Sequence, residues 1–228
     1  MFDKEEYRKT LKDMSPNLSD DFIDRQIEIK AKNHATMKRG PNVVHLDYYG
    51  GIISDGEIVQ IEEILSRNGL ELSRYDKSGV IYGNLQDFSL QIAIAFGPTL
   101  VVTLMQSAVW DAIKAVTRIS WEAVRSKLIR KSATGELHTP NFGLRIIFEN
   151  NQVKEFQLPA GLSPTDYDKA MDKLFDFISR QKEIPAQPQA MADTMKFDTE
   201  STEWGKVDVI AAMKALAEGR RSQNGPTE

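Results

Sequence analysis

Between Asp87 and Asp111 the chain runs for 23 residues, Phe88 to Trp110, without a formal charge. A stretch of that length has to leave water, either into lipid, where about 20 apolar residues suffice to span, or into a protein core. Its polar members Ser89, Gln91, Thr99, Thr103, Gln106 and Ser107, with a Gly97-Pro98 break in the middle, favour the core. In the first half Leu90, Ile92, Ile94 and Phe96 alternate with Gln91, Ala93 and Ala95, a strand period as much as a helical one. Pro98 suits the first turn of a helix. Val109, Ile113, Val116, Ser120, Val124 and Leu128 continue at helical spacing, so a single helix is expected from Pro98 to about Lys131. A membrane span over 88–110 is the lesser alternative, and the basic flank after it would then lie in the cytoplasm.

Around this run the chain reads as an α+β fold with a small mixed sheet. Residues 3–13 and 20–38 are two polar helices, the second capped by Ser19 and stopped by Gly40-Pro41, with a sparse stripe of Phe22, Ile23, Ile27 and Ile29. Val43 to Tyr49 is a strand, Ser54-Asp55-Gly56-Glu57 a capping box, and Ile58, Ile61, Ile64 and Leu65 the buried face of the helix it opens. That helix closes at Asn68-Gly69, and Leu70 to Tyr75 and Val80 to Tyr82 are further strand candidates. Leu144 to Glu149 and Val153 to Leu158 form a hairpin through Asn150-Asn151. Ser163-Pro164-Thr165-Asp166 starts a helix whose stripe is Tyr167, Ala170, Met171, Leu174 and Ile178. The expected organisation is a helical N-terminal extension (1–41), an α+β core domain (42–181), a Pro- and Gln-containing linker (182–205), and a short amphipathic helix with a polar tail (206–228).

The side-chain inventory excludes more than it indicates. Of 228 residues, 33 are acidic, 29 basic, three are histidine and none is cysteine. Without cysteine there is no disulfide framework, zinc knuckle, iron–sulfur site or thiol nucleophile. A net charge of −4 withholds the basic stripe that nucleic acid demands. Charges in Met1-Phe2-Asp3-Lys4-Glu5 stand where a secretory signal needs an apolar core, so a cytoplasmic protein is expected. Neither the dinucleotide nor the Walker fingerprint occurs, nor do G-x-S-x-G or H-E-x-x-H. No cofactor and no metal are implied.

Three sets of residues remain as candidates. His45 and Asp47 alternate along one strand and share a face, the arrangement of an oriented base in a hydrolase-like site. Arg118, Arg125, Lys127, Arg130 and Lys131, with Trp121 among them, form the best anion-contacting patch, although the same cations serve equally to solubilise an apolar helix. Trp204, Val207, Ile210, Met213 and Leu216 make a modest apolar face on the tail, available for docking. Asp168, Asp172 and Asp176 line a helix face, as solvated carboxylates commonly do. The expected function is therefore that of a non-enzymatic accessory protein that binds a protein partner or forms a homo-oligomer through its N-terminal helices and tail. A membrane-associated or self-assembling effector acting through 88–110 is the alternative, and the enzyme using His45 and Asp47 comes third.

Overall fold

In a computed structural model, residues 2–78, 90–104, 107–130, 137–149, 151–180, 192–211 and 214 are described. They build a mixed α+β fold around one seven-stranded sheet. Its first half is a strand–helix–strand unit. β1 (Val43–Tyr48) and β2 (Glu71–Asp76) pair in parallel and are joined by α3 (Asp55–Arg67). The capping box forms as expected: the Ser54 backbone N–H donates to Glu57 Oε2 at 2.6 Å, and the Glu57 N–H donates to Ser54 Oγ at 3.3 Å. Ile58, Ile61 and Leu65 are buried, and Gly69 ends the helix at φ 70°, where a side chain would strain the backbone.

The uncharged run supplies the centre of the sheet. β3 (Ile92–Phe96) lies between β1, antiparallel, and β6 (Phe142–Ile147), parallel, and all five of its residues are buried. α4 (Pro98–Thr103) follows at once, with Pro98 in its first turn, and then α5 (Ser107–Arg125). The single helix expected from Pro98 to Lys131 is thus two helices. About 34 residues at 1.5 Å each would reach roughly 50 Å, longer than a domain of this size. Divided, the segment buries both Leu100 and Leu104 and then Val109, Ile113 and Val116 against the same core. Its last part is not helical. β4 (Ile129–Arg130) pairs with β5 (Leu137–His138), and Leu128 leaves the apolar stripe to stand 60% exposed. Among the described residues no helix is long and apolar enough to cross a membrane.

The expected hairpin is present as β6 and β7 (Val153–Leu158), antiparallel, with Asn151 at φ 60° in the turn. Gly143 of β6 is fixed by close approach. A Cβ there would lie 1.9 Å from the Phe156 carbonyl oxygen and 3.0 Å from Leu90 Cδ2. α6 (Pro164–Arg180) buries the anticipated stripe of Tyr167, Ala170, Met171, Leu174 and Ile178.

The expected linker over 182–205 is corrected by two strands. β8 (Asp193–Asp198) pairs in parallel with β7, and β9 (Glu203–Lys206) turns back on β8. The cause is an alternation that the Pro- and Gln-rich surroundings obscured: Met195, Phe197 and Trp204 all face the core under α6. The strand order is β2-β1-β3-β6-β7-β8-β9. Residues 182–191 of the expected linker and the strand candidate Val80 to Tyr82 lie outside the described residues.

Helices α3, α5 and α6 cover one face of the sheet. α1 (Lys4–Met14) and α2 (Asp20–Thr36) form a hairpin at the β2 end. α2 seals that edge. Asn33 Nδ2 donates to the Asp76 carbonyl at 2.8 Å, its Oδ1 accepts the Asp76 N–H at 2.7 Å, and Thr36 Oγ1 donates to the Arg74 carbonyl at 3.1 Å. Side chains thereby stand in for a missing strand. Because Ile23 and Ile27 are also buried, α2 belongs to the folded body.

Candidate functional site

Opposite the α3/α5/α6 layer, the odd residues of β1 point at the other face of the sheet, and there His45 and Asp47 do share a side. No hydrogen bond joins them among the described residues, although the Asp47 charge is felt at the imidazole. Asp47 instead anchors a charge ladder across the strands. Its Oδ2 lies 3.4 Å from Lys77 Nζ and 3.4 Å from Arg145 Nη1. Arg145 reaches on to Glu155, its β7 neighbour in register, with Nε at 2.8 Å and Nη2 at 2.7 Å from Oε1. Lys77 Nζ also donates to the Gln91 carbonyl at 3.2 Å.

Burial gives this ladder its electrostatics. Lys77 and Glu155 are almost wholly enclosed, Asp47 largely so, and Arg145 is 29% exposed. Desolvation pushes the Lys77 ammonium below the usual lysine range while the Asp47 carboxylate pulls it back. His45 is lowered too, by burial first, with Asp47 opposing, so the imidazole is neutral near pH 7. Two acids and two bases neutralise one another. What such a cluster does physically is pin β1, β6, β7 and the end of β2 in register, since removing one member leaves its partner with an uncompensated charge. A general base would need a free carboxylate behind the imidazole, and Asp47 is committed elsewhere.

Sequence reading found His45 and Asp47 but missed Lys77, Arg145 and Glu155. Arg145 was detectable as the one charge between Leu144 and Ile146, and Glu155 as an acid on the facing strand of the expected hairpin. Lys77 sits in a turn after β2, and nothing local marks it.

Among the described residues, Arg118 and Arg125 of the cation set are engaged within the chain. Arg118 is bound to Asp168 and lies 5.0 Å over the Tyr167 ring. Lys114 pairs with Asp172 at 2.7 Å, so the aligned carboxylates of α6 fasten α5 rather than facing only water. Arg125 lies 4.3 Å over the Trp121 ring, while Trp121 itself is buried and donates its indole N–H to the Pro159 carbonyl at 3.2 Å. Lys127 is exposed, Arg130 is in β4, and Lys131 lies outside the described residues.

Of the docking face expected on the tail, the first member belongs to the core. Trp204 is 9% exposed, stacks edge-on against Phe156 and Phe197, and donates its indole N–H to the Ala170 carbonyl of α6 at 3.0 Å. It is a core residue of this domain. Val207 is tied to the sheet by its N–H to the Thr194 carbonyl at 2.8 Å. Ile210 is 66% exposed at the start of a helix that Asp208 caps, and Met213 and Leu216 lie outside the described residues.

At the N-terminus the packing is looser than in the other named helices. α1 has 11 residues and buries none of them. Asp3 caps it by accepting from the Glu5 and Glu6 N–H groups. It is held to α2 by the ion pairs Arg8–Asp24 and Lys12–Asp20 and by Lys30 over the Tyr7 ring. These pairs run antiparallel, which brings Met14, 77% exposed, to the same closed end of the hairpin as Phe22, 36% exposed. Compared with protein-family models, with curated proteins and with solved structures, the chain matches none.

Proposed function

We propose that the chain is a non-catalytic interaction protein that offers its α1–α2 hairpin to a protein partner. The observation that carries this reading is α1. An isolated helix of 11 residues is marginal in water, and helices in proteins owe most of their stability to a packed apolar face. α1 has the beginnings of such a face in Tyr7, Leu11 and Met14 at helical spacing, yet Tyr7 and Leu11 are only half-buried and Met14 stands exposed. Exposed ion pairs of the kind that hold it contribute little to stability, because water and salt screen them. A helix so weakly used by its own fold, next to an exposed Phe22, has the make-up of half an interface.

The commitment of Asp47 to Lys77 and Arg145 counts against the enzyme reading, because it takes from His45 the only carboxylate on its strand face. The test is a photo-cross-linking amino acid placed at Met14 and, as a control, at exposed Glu200, with irradiation in the host cell. A discrete protein adduct at Met14 and none at Glu200 is expected. Equal labelling at both sites, or none at either, would refute the reading.

A further inference from the structure

The two edges of the sheet are treated differently. At β2 the Asp76 N–H and carbonyl are taken up by Asn33, and the Arg74 carbonyl by Thr36. At β9 the Val207 N–H bonds to the Thr194 carbonyl, which fixes the pattern of the antiparallel ladder: Gly205 faces Lys196 and Glu203 faces Asp198 as bonded pairs. The N–H and C=O groups of Trp204 and Lys206 therefore point away from the sheet, and among the described residues none of these outward groups has a partner.

Edge strands are commonly guarded by charge. Here both charges of β9 are engaged within the chain, Lys206 Nζ by Asp193 at 2.6 Å and Glu203 by Lys173. They are also ordered acid to base along the strand, so an antiparallel copy sets unlike ends together, whereas a parallel strand would set like ends together. The only outward-bonding residues, Trp204 and Lys206, flank Gly205 symmetrically. In an isologous pairing Trp204 of one chain bonds Lys206 of the second copy and the reverse. Gly205 then falls on the two-fold axis, in the non-bonded pair where Cα atoms come to about 4.5 Å and side chains crowd most. A Cβ at Gly205 would meet nothing nearer than the Lys196 carbonyl oxygen at 4.0 Å, and a shallow recess of about 590 Å³ lined by Pro159, Leu162 and Lys196 among others lies beside it on the sheet.

We propose that β9 is a self-association edge, pairing antiparallel with β9 of a second copy to continue the sheet across two chains. This interface is separate from the N-terminal hairpin. The test uses sedimentation equilibrium and amide exchange on the full chain. The wild type is expected at twice the chain mass by 100 µM, and so is Lys206→Ala, which keeps the backbone N–H. Lys206→Pro removes the outward N–H and leaves the backbone bonds to β8 in place; it gives up the Asp193 ion pair just as Lys206→Ala does, so it is expected to be monomeric yet folded, with a far-ultraviolet spectrum matching that of Lys206→Ala. Exchange at the Trp204 and Lys206 amides should slow with concentration, while Glu203 and Gly205 stay constant. A chain lacking residues 2–17 should still dimerise, which separates this proposal from the hairpin reading. A wild type that is monomeric at 100 µM, a Lys206→Pro variant that still dimerises, or exchange at Trp204 and Lys206 that ignores concentration would overturn it.

Discussion

Replacing Trp204 by alanine tests whether residues 193–206 belong to the folded body. The indole is almost fully enclosed, with ring centroids 5.2 Å from Phe156 and 5.4 Å from Phe197, and its N–H bonds to the Ala170 carbonyl. Truncating a buried Trp to Ala costs about 3–5 kcal/mol, which already contains the lost ring contacts and the cavity left under α6. For a chain of this length each kcal/mol moves the melting temperature by about 2–4 °C. The expected drop is therefore about 6–20 °C, read by calorimetry and by loss of far-ultraviolet ellipticity. Trp204→Phe keeps much of the ring and loses the hydrogen bond, so its drop should be less than half as large. Were 182–205 a tether with Trp204 in solvent, the alanine variant would change stability by less than about 0.5 kcal/mol. A shift below about 2 °C refutes the placement of β8 and β9.

Two further outcomes follow from the packing and the ladder. Gly143→Ala drives a methyl group against the Phe156 carbonyl, so the variant is expected to be largely insoluble or to melt far below the wild type; a normal melt would show that β6 and β7 are not in this register. His45 should titrate below 6.5 by NMR, and lower still in Asp47→Asn, since burial lowers it and Asp47 opposes. Because the folded pKa lies below the unfolded one, the unfolded chain takes the proton first as pH falls. Stability is thus full above about 6.5 and lost on descent toward the folded pKa, and His45→Gln should flatten that part of the profile. A His45 that titrates at or above 6.5 contradicts the burial assigned to it.

What was legible in the sequence was what local chemistry dictates. The Ser54/Glu57 capping box, the hairpin at Asn151 and the stripe from Tyr167 to Ile178 are set by neighbours in the chain, and each stands where the pattern put it. The uncharged run was correctly distrusted as a membrane helix because Ile92, Ile94 and Phe96 alternated, and those residues form the central strand. β8 was hidden because Thr194-Met195-Lys196-Phe197 is a short alternation whose buried face exists only once α6 and Phe156 lie over it. The same holds for the ladder. Lys77, Asp47, Arg145 and Glu155 are brought together by sheet register, a property of pairings between distant segments, and one strand alone shows only His45 beside Asp47.

The claim at the centre of this account is that α1 serves an interface and not the fold. Urea denaturation of the full chain beside a chain lacking residues 2–17 measures it directly. α1 has no fully buried residue and is fastened by exposed pairs, so the shortened chain should lose no more than about 2 kcal/mol, with nearly equal slopes. A loss of 3 kcal/mol or more in the shortened chain would mean that α1 is a packed element of the domain, and the hairpin would lose its standing as a surface kept for a partner.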